Sequence, residues 1–245
     1  MAHTAEVIAK IAKDFKVNIN SNAAIRPLQK KLIDKTATYL DADKYALEVA
    51  KGLGKALSDN LQWGALSENE YREVISQVLP AGLESTYETV SDYAGAVQRG
   101  LNERYEIKLK VLKPNINAED ILNITNKAKT AKQYAEVSGT VNQDAMNFAQ
   151  NVATKMMKEN AGFQKNVGYE IRVVRKYDDR GLHRGTKYAE PCQWCLDREG
   201  EWDYDSAQSL GVFERHPGCE CLIIYKAKKG WQLQAGGNPQ WVDVT

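Results

Sequence analysis

Cys192-Gln-Trp-Cys195 and, after an intervening loop, His216-Pro-Gly-Cys219-Glu-Cys221 are the residues of this chain best suited to gather a metal ion. Zinc takes four ligands tetrahedrally; a C-x-x-C turn lets two thiolates converge on one ion, and the second pair must arrive by reversal of the chain. All four cysteines of the chain fall in this short stretch. In a reducing compartment such clustering argues for metal rather than for a disulfide framework.

Cys192, Cys195 and Cys219 are taken as ligands first. The fourth is Cys221, because thiolate is the commoner partner in structural sites, with His216 as the alternative donor three residues before Cys219; the spacing does not choose between them. Four protein ligands leave no position for an activated water, so the expected zinc is structural and contributes folding energy, not catalysis. The competing reading is a hairpin core of small buried thiols sharing hydrogen bonds with His216, with no ion.

These residues must be positioned by the elements around them. Tyr169 to Tyr177 is rich in β-branched and aromatic residues and predicts a strand, and Leu222 to Tyr225 predicts a second. Between them lie Gly181, Gly185, Gly200, Gly211 and Gly218, a stretch that apolar burial alone would order poorly. Trp194, Trp202, Tyr204 and Phe213 are read as the small core of this module. Asp197, Glu199, Glu201, Asp203 and Asp205 are read as a solvated acidic face. Arg172, Arg175 and Lys176 make only a small basic patch.

Upstream, from Ala5 to about Asn160, apolar residues recur at spacings of three and four among Ala, Leu, Lys and Glu, which predicts helices. One helix is expected from about Asp43, with Tyr45, Val49, Leu53 and Ala56 on one face and Gly52 and Gly54 either weakening it or permitting a close helix approach. Ser67 and Glu70 make a capping box ahead of Tyr71, Val74, Ile75 and Val78, with Pro80 expected to kink or interrupt the helix. A stripe through Tyr87, Ala94, Val97 and Leu101 is expected to run toward Lys113 and stop at Pro114, after which Asn117 caps two further helices with a break near Gly139. The stripes read as a buried helical core.

The fold class expected is therefore α+β, mainly α. It divides into a helical region at 1–165, a β-hairpin Cys/His module at 166–230 and a C-terminal tail at 231–245, in which Trp241 is the residue expected to dock on a partner. Thirty-three Lys and Arg against thirty-two Asp and Glu leave almost no net charge, so the whole chain is no magnet for nucleic acid or anionic lipid. No apolar run suits a signal peptide or a membrane span, and a cytosolic protein without membrane partners is expected. No phosphate-binding glycine loop, serine-nucleophile elbow or metalloprotease His-Glu pair is present, and no catalytic residue is assigned.

The C-terminal third resembles the minor head proteins of tailed bacteriophages, the head morphogenesis or Mu F-like family, in the form found in phages of Gram-positive hosts. The resemblance rests on Tyr177-Asp-Asp-Arg-Gly-Leu-His183, Pro191-Cys-Gln-Trp-Cys195, a Gly-aromatic turn, and Val212-Phe-Glu-Arg-His-Pro-Gly-Cys-Glu-Cys221 before a short strand, all in order. It covers roughly eighty residues; the helical part resembles the family only in length and character. Glu220 departs from the pattern, standing where many relatives carry a basic residue.

The resemblance implies a non-enzymatic virion component present in few copies. It would be assembled in the bacterial cytoplasm, contact portal and major capsid proteins at the capsid interior, assist head morphogenesis and in some cases leave with the packaged DNA. The alternative reading is a zinc-dependent nucleic-acid-binding protein or nuclease, in which Trp194 and Trp202 stack on bases. Only His3, His183 and His216 are available to such a nuclease, and no motif supplies its further catalytic group.

Overall fold

The computed structural model describes residues 2–62, 64, 66–177, 192–216, 219, 221–229 and 242–243. Six helices come first: α1 (Ala2–Ser21), α2 (Ile25–Ile33), α3 (Tyr39–Asn60), α4 (Glu68–Arg104), α5 (Ala118–Lys129) and α6 (Ser138–Asn166). Strand β1 (Tyr169–Lys176) follows, then a one-turn helix α7 (Gln193–Leu196), β2 (Gly200–Asp203), a short α8 (Tyr204–Ser209), β3 (Leu222–Lys229) and β4 (Val242–Asp243). The strands form one antiparallel sheet in the order β2-β1-β3-β4. The mainly helical α+β class expected from the sequence is the class observed.

Helix α3 lies against α1, α4 and α6. Its first turn is closed by a capping box in which Thr38 accepts from the Asp41 amide while Asp41 returns to the Thr38 amide, so it begins four residues before the expected Asp43. The close approach expected of its glycines is seen at Gly54, where an added Cβ would stand 2.5 Å from Asn142 Oδ1 on α6. The Ser67–Glu70 capping box opens α4 as expected.

Two helix ends expected in this region are not found. Pro80 does not interrupt α4, which runs unbroken through it for 37 residues. The amide that proline lacks would have bonded the carbonyl of Ser76, an exposed residue where water can take its place, while Val78, Leu79 and Leu83 around it are buried. The helix also ends at Arg104 rather than near Lys113: Glu106 adopts φ +56°, the left-handed conformation that stops a helix, and the amide of Ile107 turns back to the Asn102 carbonyl.

The segment after this turn is extended and is held by side chains. Asn160 on α6 accepts from the amide of Leu112 and donates to its carbonyl, as a neighbouring strand would, and Asn102 donates to the carbonyl of Leu109. Asn117 then caps α5 by accepting from Glu119. The expected break near Gly139 falls just before it, between Lys129 and Ser138, and includes a 3-10 turn at Tyr134–Glu136.

The sheet adds its inner face to the helical core. Alternate residues Ile171, Val173, Ile223, Tyr225 and Ala227 are buried in the same cluster as the helix residues, joined by Val212 and Phe213. Trp202 and Tyr204 also pack against this cluster, and Tyr204 Oη donates to the Lys158 carbonyl on α6. Three of the four aromatics expected to form a separate small core are thus spent on docking the sheet to the helices. Tyr39 and Tyr225 meet at the same boundary, both donating to the Oε1 of the fully buried Gln98.

The expected second strand extends beyond Tyr225 to Lys229, and the tail contributes β4, whose Val242 and Asp243 pair with Ala227 and Lys226. Gly181, His183, Gly185, Gly218, Glu220 and Trp241 lie outside the described residues.

Candidate metal centre

Cys192 precedes α7, and its carbonyl accepts from the amides of Cys195 and Leu196, so one helical turn folds the C-x-x-C segment back on itself. His216 and Cys219 are joined by a second turn, with the Cys219 amide donating to the His216 carbonyl at 3.0 Å. Cys221 leads directly into β3. The two turns face each other, and no disulfide links the cysteines, all four of which are free. Cys192 is exposed, whereas Cys195, Cys219 and Cys221 are buried.

All five donors named from the sequence come together, in two trios that share Cys195. In one, Nε2 of His216 lies 3.2 Å from Cys192 Sγ and 3.0 Å from Cys195 Sγ. In the other, Cys195, Cys219 and Cys221 gather their sulfurs, with 3.9 Å between Cys195 and Cys219. A tetrahedral ion with metal–sulfur bonds of about 2.3 Å separates its sulfurs by about 3.8 Å, so the donor types and spacings are compatible with a metal site.

The surroundings of the sulfurs are cationic. Arg175, on β1, is fully buried: Nη1 donates to the carbonyls of Val212 and Glu214, while Nη2 lies 3.3 Å from Cys219 Sγ and 3.7 Å from Cys195 Sγ. Among the described residues its Nε has no partner and no carboxylate pairs with it. Its placement overturns the reading of Arg175 as part of a surface patch. Strand alternation explains it: Ile171, Val173 and Arg175 share one side of β1.

The charges act on the thiols in opposite senses. Cys219 is drawn down to about 4, chiefly by a hydrogen bond from Cys221, with Arg215 and Arg175 helping against the cost of burial. Burial, followed by the charge on Cys219, pushes Cys195 up to about 11. Cys221 is raised well above an ordinary thiol, first because it donates to Cys219. Burial works against the charge of Arg175, yet the sulfurs of Cys219 and Cys221 hold its pKa above the ordinary value.

Trp194 packs against the buried cysteines, and two guanidinium groups lie over its indole, with Arg198 Cζ 3.9 Å and Arg175 Cζ 4.8 Å from the ring centroid. His216 meets it edge-on at 5.3 Å. The acidic run is exposed throughout, as expected, but part of it is engaged: Asp203 caps α8 through Ser206, and Asp205 pairs with Lys165 on α6.

Arg215 ties the centre to the helices. Its Nη1 donates to the Cys221 carbonyl, Nη2 pairs with Asp43 on α3 at 3.0 Å, and Nε donates to Thr154 Oγ1 on α6. Gln150 donates to both oxygens of the same Asp43. Sequence reading missed Arg175 and Arg215 as parts of the site. Arg175 had a signal in its inward strand position; Arg215 had none that spacing could reveal. In comparisons with protein-family models, with curated proteins and with solved structures, nothing matches this chain.

Proposed function

We propose that this chain is a non-enzymatic structural protein of a tailed-phage or prophage head, and that its Cys/His centre holds a structural zinc ion. The observation that carries the zinc is the convergence of five sulfur and nitrogen donors around Cys195, against a buried Arg175 that no described carboxylate neutralises. Thiolates bound to an ion supply the negative charge that this guanidinium requires. Four of the donors fill a zinc coordination sphere and leave no place for a reactive water. Zinc bound there would lock two turns that share little apolar surface of their own, with Arg215 carrying that rigidity to α3 and α6.

The head assignment is supported by the order of motifs around the centre, which the minor head proteins share. Its partners would be the portal and the major capsid protein, with contact to packaged DNA secondary. The Arg175 and Arg198 guanidinium groups over the Trp194 ring favour a structural use of that ring over base stacking, since the contacts a base would make are already made within the chain.

Elemental analysis of the purified chain tests the ion: one zinc per chain is expected, lost in the Cys192→Ser/Cys219→Ser double variant together with protease resistance around the centre. A reduced, folded chain without metal would sink the zinc reading. The head role is tested by co-expressing the chain with the portal and major capsid proteins of its own genome and sedimenting the particles. A chain that stays at the top of the gradient speaks against it.

A further inference from the structure

The centre offers five donors to an ion that takes four, and its surroundings choose among them; this step rests on the zinc reading above. Cys192, His216, Cys195 and Cys219 follow one another at 3.2, 3.0 and 3.9 Å, and since the two trios share only Cys195, a modest inward shift of Cys219 toward Cys192 and His216 would close the four around one ion. The side chain of Arg175 donates from Nη2 to two sulfurs of this series, with Cys219 the closer. Such N–H···S contacts are how outer groups commonly orient and neutralise coordinating thiolates.

Charge then separates the alternatives. A zinc dication with three thiolates and a neutral imidazole carries one net negative charge, which the single positive charge of Arg175 cancels. Four thiolates would leave one negative charge unbalanced in a site where all but Cys192 are buried, which is unfavourable. Among the described residues, the other guanidinium groups nearby do not fill that gap. Arg215 is already matched by Asp43, and Arg198 is partly exposed, so water screens it. The backbone of Cys221, meanwhile, is committed to the helices through its carbonyl and Arg215.

We infer that the ion is held by three cysteines and one histidine, Cys192, Cys195, Cys219 and His216, with Arg175 as its built-in counter-cation and Cys221 outside the coordination sphere. His216 thereby displaces Cys221 as the fourth ligand.

X-ray absorption at the zinc edge, on the full native chain and on Cys221→Ser, tests this directly. The expected shell has three sulfurs at about 2.3 Å and one nitrogen at about 2.0 Å in both. Zinc affinity, measured by competition with a chromogenic chelator, should be nearly unchanged in Cys221→Ser and at least ten-fold weaker in His216→Gln. Arg175→Met should weaken it about 10–100-fold, with Arg175→Lys recovering part of the loss. A four-sulfur shell in the native protein, or zinc lost from Cys221→Ser but kept by His216→Gln, overturns the inference while leaving the zinc reading intact. A native chain that takes up no zinc overturns both. If Arg175→Met does not fold, the native absorption spectrum still decides.

Discussion

Arg215 and Asp43 pair at 3.0 Å where the turn that carries His216 meets helix α3, with both side chains almost wholly removed from solvent. The pair is supported from every side: Gln150 donates to Asp43, and Arg215 also reaches Thr154 and the Cys221 carbonyl. Removing one partner strands the other, which makes the contact unforgiving to single substitutions.

Arg215→Met should therefore destabilise the protein by about 3–5 kcal/mol, and Asp43→Asn by a smaller amount because Gln150 and Arg215 can still bond an amide. Urea denaturation followed by circular dichroism measures both. In the double variant the losses should be clearly less than additive; simple additivity would show that the pair is not the coupled unit described here.

Two helical glycines should respond oppositely to alanine. At Gly54 the new methyl group collides with Asn142, whose Oδ1 is already held by the Tyr134 hydroxyl at 2.8 Å, so a loss of about 1–2 kcal/mol is expected despite the gain in helix propensity. At Gly100, within α4, the added carbon meets nothing within 4 Å beyond the adjoining residues and backbone of its own helix, and a gain of up to about 1 kcal/mol is expected. Thermal melts of the two variants, one lower and one higher than the parent, would bear this out.

Gln98→Met should cost about 2–4 kcal/mol, because it removes the acceptor shared by the Tyr39 and Tyr225 hydroxyls and leaves both in the core without it. Adding Tyr39→Phe to that variant should restore stability rather than reduce it further. Equilibrium unfolding of the single and double variants distinguishes this from a simple loss of packing.

Alkaline pH should unfold the helical region ahead of its ordinary denaturation. Burial, followed by the charge of Glu136, pushes the Tyr71 phenol up to about 12, and burial also raises Tyr39, Tyr93, Tyr134 and Tyr225. An unfolded tyrosine ionises near pH 10, so above that value the unfolded chain binds fewer protons than the folded one, and stability falls as pH rises from about 10 toward 12. Tyr71→Phe should flatten the fall in that window, as read from urea midpoints at successive pH values.

Much of this architecture could be seen in the sequence because it is governed locally. The Ser67–Glu70 box, the Asn117 cap and the β-branched run of β1 are short-range signals, and each element stands where it was expected. The errors arise where distant partners decide. Pro80 reads as a kink or an interruption, and only the buried residues around it show that α4 continues; the end of that helix depends on Asn102 and on an unusual backbone at Glu106. The five donors of the centre were identifiable from type and spacing, but the charge that balances them was not. An arginine in a polar-looking sequence reads as surface, and only its place on the inner side of β1 shows that it is buried.

The register of β1 with β3 gives the centre a kinetic meaning. Lys176 pairs with Leu222, so closing the β1–β3 ladder encloses a loop of about 45 residues, well beyond the loop of about 24 that the β1–β2 ladder closes between Arg175 and Gly200. An ion that first gathers Cys195 and Cys219 shortens the free part of that excursion to about 20 residues. Loop-closure entropy makes this worth about 0.7 kcal/mol, a saving that belongs to the pairing of β1 with β3. A chain refolding with zinc would then find its strand partner sooner, while one refolding with chelator would have its helices ready and its sheet late.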